Sequence, residues 1–106
     1  MRVRSVALPP SMYAKWRSGR RRLIVLPKNK TSQAIRYGDI IEVNGSSGGT
    51  VLDIVPFASV RQAHQDSRWE DFLPGCDLSE AIALWRDYVA RKKPNGMVLA
   101  FRIGSA

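Results

Sequence analysis

Six cations and one aromatic residue fall within a short stretch of this chain: Arg20, Arg21, Arg22, Lys28, Lys30, Arg36 and Tyr37. The first acidic residue is Asp39, so none of these charges has a counterion before it in the chain. Guanidinium groups fork onto phosphate oxygens and ammonium groups neutralise them as point charges. The Tyr37 ring beside them either packs at the strand entrance or offers a face on which a base can stack. This set of residues points to polyanion binding, with RNA or another nucleic acid as the expected partner. A second chemistry is available to the same stretch. Lys28 or Lys30 could work with Glu70 or Asp39 in a hydrolytic reaction, which needs a base and a carboxylate for proton transfer. A third use of the patch is the capture of an acidic protein.

Other chemistries find less support. His64 and Cys76 are each the single residue of their type, and the carboxylates show no ligand spacing, so no metal and no cofactor are expected. Nothing around His64 resembles a nucleophile turn. Asn44-Gly45-Ser46-Ser47-Gly48-Gly49 is glycine-rich but lacks the Lys-Ser/Thr ending of a phosphate loop, and it reads as a hairpin connection.

The charge is unevenly placed. All ten Lys and Arg residues before Tyr37 are uncompensated, whereas residues 37 onward hold seven basic and nine acidic side chains. The net charge of +8 on 106 residues is therefore a property of the first third. The length suits one domain over residues 1–106. No apolar run approaches a membrane span, and a lone cysteine suits a reducing, cytoplasmic setting.

Residues 19 to 60 hold the strands against which the helices must pack. Arg2–Leu8 alternates weakly and is expected as a first strand, stopped by Pro9-Pro10. Ser11 is expected to cap a short helix ending at a left-handed Gly19. Arg22–Leu26 is a buried-type strand, residues 28–37 a surface loop, and Ile40–Val43 and Thr50–Val55 a pair of strands. The linker between that pair is longer than a two-residue hairpin turn. Pro56 predicts an edge or a bulge.

Ser67 to Glu70 and Asp77 to Glu80 each have capping-box spacing. The second opens the clearest helix, with Leu78, Ala81, Ile82, Trp85, Tyr88 and Val89 on one face. Lys92 to Gly96 should end it, and Met97–Ile103 is apolar enough for a central strand. The class is α+β, a small mixed sheet of about five or six strands, barrel-like, with two or three helices.

This order of elements resembles an ASCH domain of the PUA-like superfamily. The resemblance rests on Gly19-Arg20-Arg21 after a short helix, Gly38-Asp39-Ile40-Ile41-Glu42-Val43, the glycine-bearing hairpin to Val51-Leu52-Asp53-Ile54-Val55, and Leu78-Ser79-Glu80-Ala81 before a closing strand. It spans Met12 to Ile103 and implies a PUA-like β-barrel with a basic cleft that binds or processes RNA or a modified nucleoside. The family motif is Gly-x-Lys-x-x-Glu-x-Arg, with Thr for Glu in small members that hydrolyse N4-acetylcytidine. Aligned on Gly19, those positions hold Arg21, Ile24 and Leu26, and Glu70 is the glutamate available downstream of the hairpin. Guanidinium stays protonated where the motif lysine must lose a proton, and Ile24 supplies neither hydroxyl nor carboxylate. The resemblance with these departures implies a binding module first, and an N4-acetylcytidine amidohydrolase or a ribonuclease as the alternative.

Overall fold

The computed structural model describes residues 2–89 and 96–104. Among them, five strands form one mixed sheet in the order β1-β3-β4-β5-β2: β1 (Val3–Val6), β2 (Leu23–Pro27), β3 (Ile40–Val43), β4 (Ser46–Phe57) and β5 (Val98–Gly104). β1 runs parallel to β3 and every other pair is antiparallel. Four α-helices accompany the sheet among the same residues: α1 (Pro10–Ser18), α2 (Lys30–Gln33), α3 (Val60–His64) and α4 (Leu78–Val89), with a 3-10 turn over Ser67–Asp71. This is the α+β class with a small mixed sheet. None of the helices among the described residues is long and apolar enough to cross a membrane. The expected stop at Lys92 to Asn95 lies outside the described residues.

Apolar sequence decides what is central. β5 lies between β4 and β2, as its run of Val98, Leu99, Ala100, Phe101 and Ile103 requires, and these side chains are buried. Leu23 to Leu26 of β2 are buried on both faces. α1 seats Met12 and Trp16 in the core, and the Trp16 indole N–H donates to the Leu23 carbonyl at 3.0 Å. On α4, Ala81 and Trp85 are buried, while Leu84 and Tyr88 pack at the margin. The Asp77 carboxylate accepts from the Glu80 backbone N–H at 2.8 Å, which caps that helix as its sequence predicts.

Several local expectations are corrected. α1 begins at Pro10, not after Ser11, because proline has the helical φ and no N–H to satisfy in the first turn. Gly19 is extended, with φ −98°, and is needed for another reason: a Cβ there would meet the Pro74 ring at 2.9 Å. Residues 30–33, expected as loop, form one helical turn closed by a reciprocal cap between Asn29 and Ser32. Ser67–Asp71 forms a 3-10 turn, and the Glu70 carboxylate accepts from the Gly75 N–H at 3.0 Å.

The hairpin is also tighter than its composition suggests. Asn44 and Gly45, at φ 50° and 86°, form a two-residue turn, and Val43 pairs directly with Ser46. Strand β4 then continues through the glycines instead of starting after them. Asn44 has a second task, accepting from the Leu8 N–H at 2.7 Å and donating to the Leu8 carbonyl at 3.0 Å. Beyond Val51 the strand has β5 on one flank only, so Pro56 falls where a missing N–H is tolerated.

The sheet curls enough for α2, which follows β2 at one edge, to lie across a groove from β1 at the other. Val3, Arg4, Ser5 and Val6 form one wall of that groove and Thr31, Ala34 and Ile35 the other. The barrel-like closure therefore runs through a helix turn, not a β1–β2 hydrogen-bond ladder.

Trp85 is 1% exposed and its ring lies edge-on to Tyr88 at 5.3 Å. Replacing it by alanine should destabilise the fold by about 3–5 kcal/mol in a urea melt. A loss under about 1 kcal/mol would mean that α4 presents a different face to the sheet.

Candidate nucleic-acid interface

The basic cluster Arg20-Arg21-Arg22 lies between the end of α1 and the start of β2. In a fully extended segment, neighbouring side chains would point to opposite sides. Arg21 instead has φ 57°, the left-handed region that non-glycine residues seldom occupy. This breaks the alternation and allows all three consecutive arginines to line one cleft. The Arg22 carbonyl accepts from the Ile103 N–H at 2.8 Å, which ties the segment to β5.

Arg102 supplies a fourth guanidinium. It pairs in register with Leu23 and with Asp53 on the two neighbouring strands, and its side chain is exposed in an otherwise apolar β5. The cleft has a volume of about 730 Å³. Its floor is largely bare backbone, from Ser47, Gly48 and Gly49 of β4 and Gly104 of β5. A Cβ on Gly48 would lie 3.1 Å from the Ile41 carbonyl oxygen, and one on Gly49 would be driven into the Gly104 carbonyl. Leu52, half-exposed, folds over Gly104 and gives the cleft an apolar side.

One carboxylate, Asp71, lies among the four guanidinium groups that line the cleft. It sits at the end of the 3-10 turn, 4.0 Å from Arg20 Nη1, with a quarter of its side chain exposed. A strongly basic cleft lined in part by glycines, with one acidic group, suits a ligand that is anionic and planar in different parts.

The sequence candidates separate in space. Arg20, Arg21 and Arg22 line the cleft, whereas Lys28, Lys30, Arg36 and Tyr37 do not. Lys28 follows the far end of β2, where its N–H donates to the Met97 carbonyl, and five strand residues span roughly 16 Å. Lys30 opens α2, and Arg36 donates from Nη1 to the Gln33 carbonyl, so both belong to the α2 side. Tyr37 is 65% exposed ahead of β3. Glu70 points to Gly75 and its neighbour Asp71 occupies the cleft. Ile24 is fully buried and Leu26 nearly so, because β2 is an inner-faced strand on both sides. The lysine, glutamate and motif positions considered for hydrolysis are thus not assembled around one point.

Sequence reasoning missed Arg102, Asp71, Leu52 and the glycine floor. A single charge in an apolar strand is the signal for Arg102, since a residue that breaks a buried run marks an outward position. Asp71 carried no signal of its own beside Glu70.

Asp39, a candidate catalytic carboxylate by sequence, is a structural clamp. It is 5% exposed and accepts from the Arg36 N–H at 2.9 Å, the Arg2 N–H at 3.2 Å and Arg4 Nε at 3.3 Å. The Arg36 N–H above all holds the carboxyl below its usual range, and the Arg4 guanidinium and the Arg2 N–H add to this against the opposing effect of burial.

No family model matches the chain, and no curated protein does. Solved structures do. The crystal structure of the hypothetical protein PH0355 superposes with a TM-score of 0.76 at 21% identity, covering all of both chains. The solution structure of PF0455 from Pyrococcus furiosus gives a TM-score of 0.67 at 21% identity, over 95% of this chain and 94% of that one. At this identity the likeness establishes a shared fold.

A carboxyl with a depressed folded pKa contributes stability above its unfolded pKa and loses it as pH falls through the folded value. Acidification below about pH 4 should therefore weaken the β1–β3 junction. Thermal melts across that range should show a steeper acid fall for the wild type than for Asp39→Asn, and parallel curves would remove Asp39 as the cause.

Proposed function

We propose that the chain is a nucleic-acid-binding module of the ASCH type in the PUA-like superfamily, and that single-stranded RNA enters the Arg20–Arg22 cleft. The observation that carries this reading is that four guanidinium groups line one cleft together with Gly48, Gly49 and Gly104. Arginine forks match phosphate oxygens in geometry and charge, and bare backbone lets a nucleotide approach closely. The choice of RNA rests on the family resemblance. Binding without hydrolysis is the favoured form, because Arg21 cannot act as a base and Ile24 and Leu26 belong to the core. Lys28, Lys30 and Arg36 then contribute long-range attraction at most, with Tyr37 apart from the ligand. A cytoplasmic setting goes with this role.

If three of these guanidinium groups neutralise phosphates, log K against log salt for single-stranded RNA should fall with a slope of roughly −2.1. Arg102→Ala should lower its magnitude by about 0.7, and Lys28→Ala should change it far less. The same protein should release no acetate from N4-acetylcytidine and should leave RNA uncut on a gel. Filter binding with no affinity at low salt would refute the reading. Turnover abolished by Lys28→Ala or Lys30→Ala would replace it with the hydrolase.

A further inference from the structure

A carboxylate is out of place in a cleft built only for phosphates, since it repels them. Asp71 is such a group. It lies three-quarters buried among Arg20, Arg21, Arg22 and Arg102, and its ion pair with Arg20 is at the 4.0 Å limit, too long for a hydrogen bond. No hydrogen bond to the Asp71 side chain forms among the described residues. Both of its oxygens keep their accepting capacity, and the Arg20 guanidinium beside it, 73% exposed, keeps its donors.

Side by side, these two groups offer a donor fork next to a pair of acceptors. The complement is a planar edge that presents one acceptor followed by two adjacent donors. Among the RNA bases only guanine has that edge: O6, then N1–H, then the N2 amino group. Cytosine offers the carboxylate a single amino group. Uracil offers N3–H flanked by two carbonyl oxygens, both of which the carboxylate repels. Leu52 supplies an apolar plate for the face of the ring, and the glycine floor leaves room for it.

We propose that Arg20 and Asp71 together read the Watson–Crick edge of guanine, so that the cleft selects guanine-bearing nucleotides while Arg21, Arg22 and Arg102 hold the phosphate. This rests on the nucleic-acid reading of the same cleft and adds its base preference.

The test compares guanosine, inosine and uridine 5′-monophosphates by isothermal titration on the intact protein at low salt, alongside a mixed-sequence single-stranded RNA. Guanosine monophosphate should bind about tenfold more tightly than uridine monophosphate, the discrimination expected of one bidentate pair. Inosine monophosphate, which keeps O6 and N1–H but lacks the amino group, should fall between them. Asp71→Asn should erase the preference, bringing the guanosine and uridine monophosphate affinities together, because the amide no longer presents two acceptors to N1–H and the amino group. Its thermal melt reports whether the fold is retained, and the inosine comparison needs no variant at all. Equal affinities for all three nucleotides with RNA binding intact would overturn the base preference and leave the cleft as a phosphate site. A preference that survives in Asp71→Asn would likewise overturn it. Failure of the RNA and of every nucleotide to bind would overturn the nucleic-acid reading as well.

Discussion

The close approach of β4 to β5 at Gly49 and Gly104 is the constraint on which the rest of the structure depends. β4 pairs with β3 over its first residues and with β5 from Thr50 onward, and the register shifts in both ladders around this change of partner. Three backbones meet there with no space between them. Gly48 faces the Ile41 carbonyl oxygen and the Val43 side chain, and Gly49, at φ 131°, lies against Gly104. Any side chain at Gly49 would meet strain and collision together. Such bulges bend a strand and increase its twist, which suits a sheet whose edges come round to meet α2. The same missing side chains leave the floor of the cleft open. Fold closure and the open cleft therefore share one cause.

The rim of that cleft works against stability. Like charges repel by about 1 kcal/mol per pair at 4 Å in water, and less as they separate or as salt screens them. Four guanidinium groups with one partly paired carboxylate are tolerable because the arginines stay exposed to solvent. No other interaction among the described residues calls for their proximity. Arg21 is in addition held in the left-handed region, a small further cost at the same place. A bound anion would relieve the repulsion, so the folded state should be favoured by its ligand through mass action. Clustered charge and backbone strain coincide beside these glycines, and that coincidence is what the binding proposal draws on.

Much of the fold is legible in the sequence, and the failures have identifiable causes. β2, β5 and α4 are visible because their apolar patterns are strong and tertiary packing agrees with them. The Asn44-Gly45 turn is hidden by its C-terminal neighbours, because Ser46 to Gly49 has loop composition although strand crowding is the reason for its glycines. The capping pair Asn29 and Ser32 is present in the sequence, but four helical residues are too few to show a period. In the site, the Arg20 to Arg22 cluster is found because the turn at Arg21 keeps sequence neighbours together. Lys28 is lost because β2 intervenes, and an extended strand carries charges apart faster than any other element. Arg102 and Asp71 reach the cleft from β5 and the 3-10 turn, contacts of long sequence separation that local reading does not supply.

The same geometry bears on the proposed preference for binding over catalysis. On a strand buried on one face, alternate positions could still deliver functional groups to a cleft. β2 is buried on both faces, so neither Ile24 nor Leu26 could be exchanged for a polar residue without placing that residue in the core. Only Leu23, at the mouth of the strand, reaches the cleft. Among the described residues, the ionisable groups that line it are four permanent cations and one carboxylate, and only Ser47 adds a neutral hydroxyl. A hydrolytic site needs a group that exchanges a proton near neutrality and a partner to orient it. Fixed positive charge, one acceptor pair and an apolar side chain instead suit the proposed anionic, planar ligand, whose recognition would require no proton transfer.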